Sequence, residues 1–109
     1  MNIELLRDYC LAKVEVTESF PFNEDTLVFK AGGKIFALAN LDGELRINLK
    51  CQPQKALELR ERYPAVIPGY HMNKVHWNTV VCDGSVPDNE ILEWIDHSYD
   101  LVLPKKFKK

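Results

Sequence analysis

No two cysteines in this 109-residue sequence are close enough to form a CxxC pair. Cys10, Cys51 and Cys82 are odd in number and widely spaced, which argues against a disulfide framework and for a reducing, cytoplasmic setting. Long apolar runs are also missing. None approaches the roughly 20 residues of a membrane-spanning helix, so no membrane role is expected. The opening "MNIELLRDYCLAK" carries acids early and is amphipathic, unlike a secretory signal. There is no GxSxG, no HExxH and no glycine-rich phosphate loop, which removes the familiar hydrolase, zinc-protease and nucleotide-binding signatures. The chain lacks internal repeats and has no linker long enough to divide it, so residues 1–109 read as one domain.

What is present is an ordinary globular balance, 46% hydrophobic and 28% charged, with a net charge of −2. That total conceals blocks. Residues 1–25 hold two bases and six acids; residues 26–80 hold eight bases and four acids; residues 81–103 hold six acids and no base; the last six residues add four lysines. Segregation of this kind says more about partners than the sum does. Acidic helices and a basic sheet face, kept for solubility, are the plainest explanation.

Periodicity gives the element order. Asn2 caps a first helix that carries Ile3, Leu6, Tyr9 and Cys10 on one stripe and ends near Lys13. A connector, "ESFPFNED", leads into a meander: "TLVFKA", a Gly32-Gly33 turn, "KIFALAN", an Asp42-Gly43 turn, and "ELRINLK". In the third strand Leu45, Ile47 and Leu49 alternate with Glu44, Arg46, Asn48 and Lys50, the pattern of a sheet with one face buried and one in water. Pro53 opens a second helix and Pro64 stops it. "AVIPGYHMNK" is a structured loop, "VHWNTVVC" a fourth strand, and a last helix runs from Asp88 to Val102. Val14–Thr17 and Ala65–Ile67 are candidates for an extra short strand, and "KKFKK" reads as a frayed tail. The order predicts an α+β domain: an antiparallel sheet with helices packed on one face, the other face partly open, polar and basic.

The densest polar stretch is "PGYHMNKVHWN", Pro68 to Asn78. His71 and His76 lack the close ligand pairs of a zinc site, and His76 and Cys82 on one strand would stand roughly 20 Å apart. Glu4, Asp8, Glu15 and Glu18 could offer oxygen ligands to a hard or ferrous cation, but dispersed carboxylates more often form a solvated helix face. Cys51, Cys82 or Ser98 can be combined on paper with a histidine and Asp83 or Asp96, without a motif to support the combination. No enzyme and no cofactor is expected.

Nucleic acid is the chemistry these residue types suit best. Lys30, Lys34, Arg46, Lys50 and Lys74 are available for phosphates. His71, Asn73, His76 and Asn78 form a polar centre in which asparagine can read base edges, as can Asn48. Tyr70 or Trp77 can stack on a base. Strict alternation sets Trp77 with Val75, Thr79 and Val81, which favours Trp77 inward and His76 with Asn78 outward.

The blocks "FPF…LVFKAGGKIFAL", "LKCQP", "PGYHMNKVHWN" and "SYDLV", which run in order through nearly the whole chain, resemble the MmcQ/YjbR family of small bacterial proteins. That resemblance implies the CyaY-like α+β sandwich. It also implies DNA binding by a double-wing arrangement, with the hairpins at Gly32-Gly33 and Asp42-Gly43 as wings. The fold is similar to that of frataxin as well, which keeps open a protein- or small-ligand-binding module with no nucleic-acid role.

Overall fold

The structure, a computed structural model, describes residues 1–108. Three helices and six strands follow in the order α1 (Ile3–Leu11), β1 (Val16–Ser19), β2 (Thr26–Ala31), β3 (Lys34–Asn40), β4 (Arg46–Lys50), α2 (Pro53–Arg62), β5 (Val66–Pro68), β6 (Trp77–Val81) and α3 (Asp88–Val102). The strands form one antiparallel sheet in the order β1-β2-β3-β4-β6-β5. This is the expected α+β architecture, with the helices on one face.

Local chemistry sets the helix boundaries. The Asn2 side chain accepts from Leu5 N at 2.8 Å, and Glu4 sits in the first turn of α1 against the positive end of the helix dipole. The Gln52 side chain accepts from Lys55 N at 2.9 Å, Pro53 stands in the first turn of α2, and Arg60 and Arg62 occupy its last. Between helices and sheet lie Leu6, Phe29, Phe36, Ile47, Val80, Ile91 and Ile95, each at most 1% exposed. Tyr99 meets Phe36 edge-on at 5.5 Å between ring centroids.

A β-bulge shapes the centre of the sheet. Phe29 pairs with Ala37 and Lys30 with Ile35, so Phe36 is the extra residue and joins Ala37 in the core. Its carbonyl loses a regular partner. Ser98 of α3 supplies one, donating from Oγ at 2.6 Å while accepting from Lys50 N at 2.9 Å. The bulge and the inner end of β4 are thereby fastened to one buried hydroxyl.

Three expectations change. Both candidate short strands form, as β1 and β5, and they are the sheet edges. The tail through Lys108 is docked rather than frayed: Lys105–Phe107 make a 3-10 turn, Phe107 packs on the core, and Lys108 Nζ donates to Asp100 O at 2.7 Å. Lys109 lies outside the described residues. Finally, Trp77 does not face the helices. Register sets Leu49 opposite Asn78 and Lys50 opposite Trp77. Since Leu49 points into the core, Asn78 does too, and the half-buried Trp77 joins Lys50 on the open face.

Candidate functional site on the open sheet face

The open face is read from strand parity. It carries Thr17 and Ser19 of β1, Thr26, Val28 and Lys30 of β2, Leu38 and Asn40 of β3, Arg46, Asn48 and Lys50 of β4, and Trp77, Thr79 and Val81 of β6. Three of these residues are cations and none is an anion. The one acid within β1, Glu18, points to the helix side, where Arg7 of α1 holds it with an Nε–Oε2 bond of 2.8 Å and keeps its carboxyl below the usual range. Nine of the sixteen acids lie on the helices: Glu4 and Asp8 on α1, Glu58 and Glu61 on α2, and Asp88, Glu90, Glu93, Asp96 and Asp100 on α3, while Glu24, Asp25, Asp42 and Glu44 stand exposed in the connector and hairpin that flank the sheet.

Two segments rise over this face and leave a groove of about 460 Å³ between them. Phe22 and Asn23, ahead of β2, form one wall. Tyr70, His71 and Met72, after β5, form the other. Thr26, Leu38, Asn40 and Asn48 are the floor. The second wall is anchored from below, where Tyr70 N donates to Thr79 Oγ1 at 2.9 Å and the Thr79 hydroxyl donates to Asn48 Oδ1. His71 has a left-handed backbone, with φ of +59°, and its ring lies 4.0 Å from that of Tyr70, centroid to centroid.

The signature stretch divides between scaffold and surface. Gly69 passes so close to β6 that a Cβ there would fall 2.7 Å from Trp77 Cβ. Asn73 Oδ1 accepts from Val75 N at 2.9 Å and His76 N at 3.3 Å, closing the turn that re-enters the sheet. Lys74 Nζ donates to Gly69 O at 3.0 Å across the same loop. Asn78, 2% exposed, accepts from Arg60 Nε at 2.7 Å and donates to Ala56 O at 3.3 Å, both on α2. His71 and His76 are exposed.

The anticipated contact residues are therefore spread out. Lys30, Lys34 and Lys50 gather at the Gly32-Gly33 end of the sheet, and Arg46 stands at the Asp42-Gly43 end beside Asn40. The two hairpin tips lie at opposite ends of the seven-residue β3, about 23 Å apart. The first tip is braced, because Pro104 and Phe107 close on Gly32. Phe22, Asn23, Asn40 and Met72 were not among the anticipated residues. The exposed aromatics of "FPF" beside a proline were the available signal.

The combinations drawn for catalysis meet limits. Cys51 and His97 share a void of only about 10 Å³, burial pushes the Cys51 thiol up, and His97 Nε2 is occupied by Gln52 N at 3.1 Å. Ser98 is fully buried, and Asp96 holds the Tyr9 hydroxyl. Among the described residues no three His, Cys, Asp or Glu side chains converge as metal ligands, and no helix is long and apolar enough to cross a membrane.

The family model described as YjbR matches residues 11–101, a span that contains the whole sheet and both walls of the groove. The chain belongs to the YjbR family. It is 34% identical over 113 residues to YjbR of Escherichia coli K12, a match covering 100% of this chain and 96% of that protein. It is 44% identical over 85 residues to YbdF of Escherichia coli O157:H7, covering 77% of this chain and 70% of that one. Both of these YjbR relatives carry the description uncharacterized protein. The crystal structure of Deinococcus radiodurans DR2400, whose domain is described as DUF419, superposes with a TM-score of 0.91 at 40% identity, over 99% of this chain and 83% of that one. A Pseudomonas syringae crystal structure superposes with a TM-score of 0.82 at 31% identity, over 94% and 99% of the two chains.

Proposed function

We propose that this YjbR-family protein binds nucleic acid, DNA first, through the open face of its sheet, as a non-enzymatic cytoplasmic protein. The observation that carries the reading is the charge of the strands themselves: Lys30, Arg46 and Lys50 point to the open face with no acid from any strand on that face, while nine of the sixteen acids lie on the helices behind. Such a face attracts a polyanion even when the whole chain is slightly acidic. Lys74 in the loop extends the cationic rim; Lys34, opposite the buried Ala31, turns at the hairpin tip toward the helix side and reaches the rim only from the edge. Asn78 has no part in contact, since its amide is spent inside the fold. The opposed hairpin tips suit two separate backbone contacts. Three free thiols, two of them buried, fit a reducing compartment.

The test is a mobility shift and a salt titration on duplex and single-stranded DNA, beside a variant with Lys30, Arg46, Lys50 and Lys74 all changed to Ala. About four phosphate contacts give a slope of log K against log salt of roughly −3 to −4. The variant should lose most of the binding. Absence of binding to either form at low salt, or equal binding by the variant, overturns the reading. A second reading, a protein- or small-ligand-binding module of frataxin-like shape, is favoured by the groove itself, whose volume falls within the range of small-molecule sites.

A further inference from the structure

We infer that the groove between Phe22 and Tyr70 is a seat for one unpaired nucleobase that carries carbonyl oxygens, so that the strand bound on this face is single. The inference rests on the nucleic-acid reading of the sheet face and says which form of the polymer, and which bases, the face accepts.

The walls supply stacking surface. Phe22 is 65% exposed and Tyr70 62%, on opposite sides of one groove. Large aromatics left in water beside a groove are the platforms on which bases stack. Tyr70 is held ready by its backbone bond to Thr79, and the His71 ring lies against it. The left-handed His71 backbone is strained, and the fold sustains that strain at this wall.

The amides around the groove supply a one-sided hydrogen-bonding edge. Asn23 Oδ1 accepts from Asp25 N at 2.8 Å and Asn40 Oδ1 from Asp42 N at 3.0 Å. A backbone N–H can only donate, so the carbonyl end of each amide is committed inward and the NH₂ end is left over. Asn48 Oδ1 is likewise taken by the Thr79 hydroxyl. None of the three NH₂ groups has a protein partner, and no buried side-chain N or O atom among the described residues lacks one, so all three open to solvent. A set of donors selects acceptors. Thymine and uracil present two carbonyl oxygens, which a set of NH₂ donors suits best; guanine and cytosine present one each, and adenine offers only ring-nitrogen acceptors. A base inside a duplex has its faces stacked and its pairing edge occupied, so only an unpaired base can enter between two aromatic walls.

Charge completes the fit. Arg46 is the cross-strand partner of Asn40 at one end of the groove floor. Lys50 lies four residues along β4, about 13 Å away, with Lys30 at the same end. A strand that places one base in the groove thus has a cation waiting for its backbone on either side.

Fluorescence anisotropy with a short oligothymidylate, an oligoadenylate and a duplex of equal length tests the seat. The wild type should bind oligothymidylate at least about 10-fold tighter than the other two. Phe22→Ala and Tyr70→Ala should each weaken oligothymidylate by roughly 5- to 150-fold and leave the duplex unchanged. Asn48→Ala, with its fold checked by circular dichroism, should narrow the gap between thymidylate and adenylate. Equal binding of all three probes, or single-strand binding that falls with Lys30, Arg46 and Lys50 changed to Ala but not with Phe22→Ala or Tyr70→Ala, overturns the seat and leaves the nucleic-acid reading standing. No binding of any probe overturns both. A dimer that Phe22→Ala and Tyr70→Ala dissociate, with probe preference unmoved, assigns the groove to a second copy of this chain and overturns the seat as well.

Discussion

Arg60 Nε donates to Asn78 Oδ1 at 2.7 Å, eighteen residues apart in sequence, and the bond ties α2 to β6 on the helix side of the sheet. The same guanidinium reaches two carbonyls of the loop, donating from Nη2 to Trp77 O at 3.2 Å and to Lys74 O. An asparagine in the core beside Val80 is costly unless its carbonyl and amide are both satisfied, and α2 satisfies both. The signature loop is thus fixed from beneath by a residue outside it.

Truncation on either side of this pair should be expensive. Asn78→Ala leaves Arg60 Nε and the Ala56 carbonyl without their partner, and Arg60→Ala strands the buried Asn78 oxygen and takes the donor from Lys74 O, while Trp77 O keeps Gly69 N. Each should cost about 1–3 kcal/mol. The double variant should cost less than the sum, with a coupling of about 0.5–3 kcal/mol. Urea unfolding of the four proteins measures it. Strictly additive losses would mean that the bond does not carry the brace.

Gly69 makes a second prediction. A Cβ there would sit 2.7 Å from Trp77 Cβ and 2.9 Å from its carbonyl oxygen. Gly69→Ala must therefore push β5 and β6 apart, costing about 1–3 kcal/mol and shifting tryptophan emission. Gly33→Ala is the control. Nothing lies within 4 Å of that position, and its φ of +88° alone makes the change cost about 1–2 kcal/mol, with emission unchanged. Unaltered emission in Gly69→Ala would show that the approach is not rigid.

The alternation of Ile47 and Leu49 with Arg46, Asn48 and Lys50 was legible because burial on one face has period two, and so were the bounds of α3, set by Pro87 and Pro104. The side taken by Trp77 was not. Alternation separates two faces without saying which meets the helices, and size favours tryptophan inside over asparagine. The partner that makes a buried Asn78 tolerable is on another element. The groove was hidden for the same reason: its walls and floor come from segments around residues 22, 40, 48 and 71, which only the sheet order brings together. Nor does local pattern reveal that Phe107 packs on Gly32.

His97 makes stability depend on pH. Burial, and then the positive charge of Lys55, lower its pKa from the ordinary 6.5, while Asp100 opposes them. Its Nε2 accepts from Gln52 N, which the protonated ring cannot do. Because the folded value lies below the unfolded one, the unfolded chain binds more protons as pH falls past 6.5. The contribution of His97 is therefore complete above that pH and is lost as pH falls through the folded value. The lowered carboxyls of Glu18 and Asp83 act only in the more acid range. Unfolding midpoints measured from neutral to mildly acid pH should fall for wild type and stay flatter for His97→Gln. Parallel curves would remove His97 as the cause.

The cysteines give a chemical test of the non-enzymatic reading. Burial pushes the Cys10 thiol up to about 12 and the Cys82 thiol up to about 11, and it raises Cys51 as well. The thiolate is the reactive form, so near neutral pH none of the three should be a competent nucleophile. A maleimide or disulfide reagent should label the native protein far more slowly than a free cysteine, whose pKa is about 8.5. Cys82, only partly buried, should react first, with a rate that climbs as pH rises toward 11. In denaturant all three should react at the free rate. One thiol that labels rapidly in the folded protein near neutral pH would mean an activated cysteine, and Cys51, which shares a void with His97, is where it would be sought.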